Sequence, residues 1–305
     1  MSLKALLDAG AAYDAEYGPS LSNHRPMALM ALKRLGADDA RLAAFDATYS
    51  RRLQAMPPPE PWPAGEPWPD HLGDTRWWPR FRALFTEWLQ EEGHDLLTPV
   101  LPRLLQGVGG AAFHGLIRTA YGLQAGHAGE IADGLAYWAC RWLPLDGTPA
   151  ATPRVGLIFE AMADAAAAPG FEAAVRRVPL DAGTLERLAR DAASLYAASG
   201  DFAVLHLVTS AHAMRSVLRF VDDPLHGVAG YRRAWVAARR ASGAKAGRPA
   251  DLLPWDEIVG FALTSDDDHL VKLVDSCREE TAHHGGDAWQ RAASRAVTDA
   301  RSAAR

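Results

Sequence analysis

The stretch Val204-Leu205-His206-Leu207-Val208-Thr209-Ser210-Ala211-His212-Ala213 decides how this chain is read. It is an apolar run within 201–220, free of breakers, and it reads as a helix with two histidines inside it. Outward from it the text is of the same kind. Ala/Leu/Arg/Glu-rich stretches predict helices over 80–92, 97–106, 110–124, 127–142, 154–166, 184–198, 228–241, 255–263 and 266–282. Earlier, a helix opens at Pro26, with Ser22 or Asn23 placed to cap it and Gly36 just past its end, after a loop at Gly18-Pro19-Ser20. A second runs from Asp38 to Gln54. No segment shows sustained β-branched alternation with hairpin turns. Met56 to Pro79 interrupts the pattern with Pro57, Pro58, Pro59, Trp62, Trp68, Trp77 and Trp78. Helix cannot persist there, and so much aromatic mass predicts a loop packed on the surface or over a pocket. The polar residues 285–305 are expected to form a final helix or fray. With no repeat and no clean boundary, the expectation is one all-α domain over 1–305.

The 305 residues carry 32 Lys+Arg against 37 Asp+Glu, a formal charge of −5. That balance argues against a nucleic-acid or anionic-membrane binder, which would present a basic patch. No apolar run approaches the ~20 residues of a membrane helix, and no signal peptide is evident. The two cysteines, Cys140 and Cys277, have no metal or redox spacing. A reduced, cytoplasmic, disulfide-free protein is expected.

Familiar catalytic signatures are absent. Gly107-Val108-Gly109-Gly110-Ala111-Ala112 matches G-x-G-x-x-A, but a helix rather than a strand is predicted before it, so small residues opening a tightly packed helix are the better account. His127-x-x-Glu130 lacks the partners of a di-iron centre. Asp266-Asp267-Asp268 reads as an N-cap with first-turn acids.

Five histidines remain, all within apolar segments: His24, His114, His206, His212 and His269. One alone is most simply a hydrogen-bonded core residue. Several on separate helices point to a metal site between facing helices. His206 and His212 lie roughly 120° apart around their helix, so one ion is not expected to take both. His206 shares a face with Thr209, as His269 does with Lys272, and on that ground His206 is favoured. An apolar setting would favour a neutral Lys272 amine, which can take up carbon dioxide as a carbamate and supply the oxygen donor that the histidine segments lack.

Ser22-Asn23-His24-Arg25-Pro26-Met27-Ala28-Leu29, Ala112-Phe113-His114-Gly115-Leu116-Ile117-Arg118, Gly134-Leu135-Ala136-Tyr137-Trp138, His206-Leu207-Val208-Thr209 and His269-Leu270-Val271-Lys272 together resemble the questin oxidase-like family, in family order over roughly residues 20–282. The resemblance implies an α-helical fold with a mononuclear non-haem iron held by histidines and a carboxylated lysine, in enzymes that oxidatively open anthraquinone rings. Carried over, His24, His114, His206 and His269 supply imidazole and Lys272 the carbamate. His212 competes for the place of His206, and Thr209 donates its hydroxyl to the modified lysine. The expected function is thus an Fe(II)-dependent oxygenase acting with dioxygen on an aromatic or quinone-like substrate, with NADPH as a candidate reductant. Trp77, Trp78, Tyr121, Tyr137 and Trp138 are candidates for the pocket wall. The alternatives are an NAD(P)H- or flavin-dependent Baeyer–Villiger monooxygenase and a non-catalytic α-helical binding protein. The first lacks a cofactor fingerprint in a strand–helix setting.

Overall fold

In the computed structural model, which describes residues 1–147 and 158–303, helix follows helix along the chain. Ser2 caps α1 (Leu3–Gly10) by accepting from the Ala5 amide. A two-residue-wide hairpin, β1 (Glu16–Tyr17) and β2 (Leu21–Ser22), turns through Gly18 and Ser20, both at positive φ. It feeds α2 (Arg25–Leu35), which Gly36 ends in the left-handed conformation, and then α3 (Asp39–Tyr49), capped by Asp38. Beyond the Pro/Trp segment come α4 (Trp78–Glu92), α5 (Leu97–Leu105), α6 (His114–Ala125) and α7 (Ala128–Cys140). The remainder is α8 (Ile158–Ala167), α9 (Phe171–Arg177), α10 (Thr184–Ser199), α11 (Phe202–Val217), α12 (Pro224–Ser242), α13 (Trp255–Thr264), α14 (Asp268–His284) and α15 (Ala288–Ala303). The all-α expectation holds. Among the described residues no helix is long and apolar enough to cross a membrane.

Four of these helices close a ring: α2 packs on α6, α6 on α11, α11 on α14, and α14 on α2. The rest clad it. Helix α7 lies against α6 and carries α4 on its other side, while α10 and α15 pack on each other, α10 against α11 and α15 against α14. One apolar core runs from Leu6 in α1 to Val297 in α15. The α6–α7 contact is close because both helices bring glycine to it. A Cβ on Gly115 would come within 2.5 Å of the Trp138 Cα, and one on Gly134 within 2.6 Å of the Thr119 nitrogen. Buried arginines then tie the helix starts down. Arg118 donates to Glu130 (2.8 Å) and Asp133 (2.9 Å), and Arg25 to Asp46 and the Leu6 carbonyl. Breaking such a pair from one side would strand a buried charge at a cost of about 3–5 kcal/mol.

Several boundaries differ from the sequence reading. His24, not Ser22 or Asn23, occupies the N-cap of α2; Asn23 instead accepts from the Arg25 amide and donates to the Asp14 carbonyl, bracing the hairpin. The loop expected at 18–20 is the hairpin turn. Helix α3 stops at Tyr49 and tightens into a 3₁₀ turn, Ser50–Arg52. Helices α1 and α9 were not foreseen, and the expected 154–157 portion of one helix lies outside the described residues. The Pro/Trp segment holds only 3₁₀ turns up to Trp77, α4 already opening at Trp78 with Pro79 in its first turn, and the segment's tryptophans pack on α4, Trp62 against Phe81 (5.2 Å) and Trp68 against Phe85 (5.8 Å). Of the two outcomes expected for 285–305, the structure shows the helix: α15, whose stripe of Trp289, Ala292, Ala293 and Val297 is fully buried. Its many arginines and serines disguise a 3.6-residue period.

This packing has a measurable consequence. Trp289→Ala removes a fully buried indole and should lower unfolding free energy by about 3–5 kcal/mol in a urea titration. A change below about 1 kcal/mol would mean that the C-terminal helix does not belong to the core.

Candidate metal centre

The histidines mark one end of the ring, where all four helices begin. His24 is the N-cap of α2, His114 the first residue of α6, His269 the second residue of α14, and His206 stands one turn into α11. The positive ends of four helix dipoles therefore converge, a setting that disfavours imidazolium and favours anionic partners.

His24, His114 and His269 each offer a ring nitrogen within 4.8 Å of the others. The His24 and His114 rings are stacked at 4.6 Å, with their Nε2 atoms 2.7 Å apart. His269 meets His24 edge-on at 4.5 Å. The His206 ring packs against His114 at 5.0 Å and His269 at 5.6 Å. His24, His114 and His206 are buried, and His269 is nearly so.

Hydrogen bonds from the far side of each ring define which nitrogen is free. His114 Nδ1 faces the Ala111 carbonyl, and His206 Nδ1 faces the Phe202 carbonyl at 2.9 Å. A carbonyl can only accept, so in both rings Nδ1 carries the proton and Nε2 holds the lone pair. His24 Nδ1 donates to the Asp268 carboxylate in the same way. The two facing Nε2 atoms of His24 and His114 thus point lone pair at lone pair, with no proton to share. A cation between such nitrogens resolves the conflict, and outer partners of this type are what metal-bound histidines use. On this observation the residues present fit a metal ion.

The same electrostatics keep the rings neutral. Burial first, then the Lys272 charge and that of His206, hold His24 well below the ordinary histidine value. Burial and then Lys272 bring His206 to about 4 and lower His269 further, and His114 is depressed by burial, His24 and His206. Lys272 is itself buried, three residues past His269 on α14, and burial brings its ammonium down to about 8.

Of the sequence-derived candidates, the structure brings together His24, His114, His206, His269 and Lys272. His212 lies elsewhere: its Nδ1 pairs with buried Glu280 at 2.9 Å and its Nε2 accepts from Gln124 at 3.2 Å. The Thr209 hydroxyl is buried and turns to its own helix, to the Leu205 and His206 carbonyls. His127 caps α7 by accepting from the Glu130 amide. In the acidic run Asp267 alone is the cap, accepting from His269 and Leu270, and Asp266 pairs with Arg41. Asp268 was missed. It is buried, bonds His24, and sits 3.4 Å from His269 Nδ1. Its N1 position looks like capping in the sequence, and nothing local marks its partner 244 residues away.

A cavity of about 270 Å³ opens onto the histidines, lined also by Tyr17, Leu21, Arg52, Ala111, Ala112 and Phe202. Its aromatic walls are Tyr17 and Phe202, not the residues expected. Trp78 and Tyr137 line a neighbouring cavity, Tyr121 lines another, Trp138 is core, and Trp77 stacks on His71.

The turn before α6 is strained. Ala111, Ala112 and Phe113 all have positive φ (44°, 51° and 69°), a left-handed turn without glycine. Gly110 ahead of it has no room for a Cβ, which would lie 1.5 Å from the Arg141 carbonyl. The glycines of Gly107–Gly110 thus serve close packing. The strained turn carries the Ala111 carbonyl back onto His114 Nδ1. Each non-glycine residue so held costs ~1–2 kcal/mol. Ala112→Gly should therefore leave stability unchanged or raise it by up to ~1 kcal/mol, after the entropy that glycine adds to the unfolded chain. Ala136→Gly, in buried regular helix, should cost ~1 kcal/mol or more. Equal losses in the two variants, by chemical denaturation, would contradict the strain.

The sequence model of the questin oxidase-like family matches residues 21–198. That span takes in His24 and His114 and ends before His206, His269 and Lys272, which the fold then brings to the same place. Among curated proteins none matches the chain. With more than half of its length matched, the chain belongs to the questin oxidase-like family.

Proposed function

We propose that this protein is a non-haem iron-dependent oxygenase that uses dioxygen to open an aromatic or quinone-like ring. Membership of an oxidase family supports redox chemistry. The observation that carries the iron is the pair of facing Nε2 lone pairs of His24 and His114, with Asp268 and the Ala111 carbonyl fixing the outer nitrogens. His206 and His269 add imidazoles at the same end of the bundle. Nitrogen donors with one anionic oxygen suit Fe(II), which when bound supplies the means of activating dioxygen.

Lys272 is the proposed source of that oxygen. An ammonium near four imidazoles opposes any cation there. As the neutral amine, its nitrogen adds to the carbon of carbon dioxide, one proton leaves, and the side chain becomes an anionic carbamate. Rotation of Thr209 away from its helix carbonyls would let it donate to that carbamate. Tyr17 and Phe202 hold the flat substrate over the cluster, and the buried floor keeps bulk water out. Against a nicotinamide Baeyer–Villiger enzyme stands the Gly107–Gly110 turn, which follows helix α5 and is already accounted for by packing on Arg141 and Trp142.

Untagged protein should contain about one iron per chain by elemental analysis. His114→Ala, His206→Ala and Lys272→Met should each lose most of it, and Asp268→Ala part of it, while circular dichroism remains helical. His212→Ala should keep iron, because its ring serves Glu280. Retention in His206→Ala with loss in His212→Ala would reverse the ligand assignment. Full iron in Lys272→Met would remove the carbamate.

A further inference from the structure

Among the described residues the histidine cavity carries one permanent cation in its wall, and the iron reading does not use it. Arg52, at the end of the 3₁₀ turn after α3, lines the cavity with its guanidinium stacked on Tyr49, 3.7 Å from the ring centroid. The stacking fixes the plane of the group and leaves its N–H edge free. Among the described residues that edge makes no side-chain hydrogen bond, and its one ionic neighbour is Asp268 Oδ1, 3.7 Å from Nη2. Asp268 is meanwhile committed through Oδ2 to His24. The side chain is 44% exposed, so it faces the cavity and not the core. The other side chains around it are suited to a flat apolar body: Phe202, 58% exposed and set against His206 and His269 at 5.0 and 4.7 Å, and Leu21, 42% exposed. Four helix starts add positive potential to the same end of the bundle.

We infer that Arg52 selects substrates bearing an ionised oxygen, a phenolate, carboxylate or sulfonate, on a planar aromatic frame. The inference rests on the reading of this cavity as the substrate site. The guanidinium edge donates to the anionic oxygen while the ring lies along Phe202, and Asp268 holds the arginine at the right distance without neutralising it. Arg52 is thus a specificity determinant that touches substrate and does not touch the metal site's nitrogens.

Two probes separate charge from shape. Anthraquinone-2-sulfonate carries the anion, and 2-(hydroxymethyl)anthraquinone has the same frame without it. Sulfonate is a poor ligand for iron, so a preference for it is not created by the metal. By calorimetric titration the wild-type protein should bind the sulfonate about tenfold tighter or more. Arg52→Met should erase that preference while leaving the neutral probe within about twofold, and Arg52→Lys should fall between them. The neutral probe also reports that the cavity is intact. The inference is overturned if Arg52→Met keeps the preference, if both probes weaken equally, or if the wild-type protein binds neither or shows no preference. Iron is measured in the same samples. A preference that depends on Arg52 in protein that takes up no iron would uphold the arginine and sink the iron reading. Iron-loaded wild-type protein that ignores the sulfonate would do the reverse.

Discussion

Two imidazole nitrogens held 2.7 Å apart with their lone pairs facing are a conflict that the rest of the structure maintains. Neither ring can relieve it by moving its proton. His114 Nδ1 is bound to a carbonyl and His24 Nδ1 to the Asp268 carboxylate, so turning either proton inward would break a buried hydrogen bond. Protonation is disfavoured as well, since burial first, and then the charges of Lys272 and the neighbouring histidines, lower the pKa of both rings. What remains is two lone pairs aimed at one point between the rings.

The fold keeps this arrangement rigid through elements distant from the nitrogens. The left-handed turn over Ala111–Phe113 starts α6 at the residue where His114 must stand, and the α6–α7 contact at Gly115 and Gly134 fixes the helix behind it. Arg25 and Arg118, one and four residues beyond two of the histidines, are buried themselves and tie α2 to Asp46 and α6 to Glu130 and Asp133. Strain at a functional turn is tolerable when such surroundings over-determine it. The two ring partners α11 and α14 bring His206 and the pair His269–Lys272 to the same end, so donors from four distant parts of the chain meet without any long loop.

Much of this was legible beforehand, for physical reasons. Long uninterrupted apolar runs could only be helices, and histidines inside them needed partners, so the all-α class and the residues of the cluster could be named. The six-residue spacing of His206 and His212 implied different surroundings, and the structure puts them in different surroundings. What escaped the reading was non-local. Asp268 looks like one of three capping acids, and only the packing of α14 on α2 turns it to His24. Arg52 sat inside a predicted helix that ends three residues before it. The aromatic wall was assigned to the tryptophan- and tyrosine-rich segments because composition attracts attention, whereas Tyr17 on a two-residue strand and Phe202 at a helix start give no periodic signal. The polar composition of 285–305 left helix and fraying both open, and the buried stripe of α15 decides for the helix.

The central claim is that the histidines present Nε2 lone pairs to a common cation, and nitrogen NMR of protein labelled with ¹⁵N-histidine reads that directly. In protein loaded with diamagnetic zinc, His24, His114 and His206 should each show Nδ1 protonated and Nε2 at a metal-bound shift, with His212 unchanged by the metal. Nε2–H tautomers or imidazolium signals at His24 and His114, indifferent to added metal, would contradict the account.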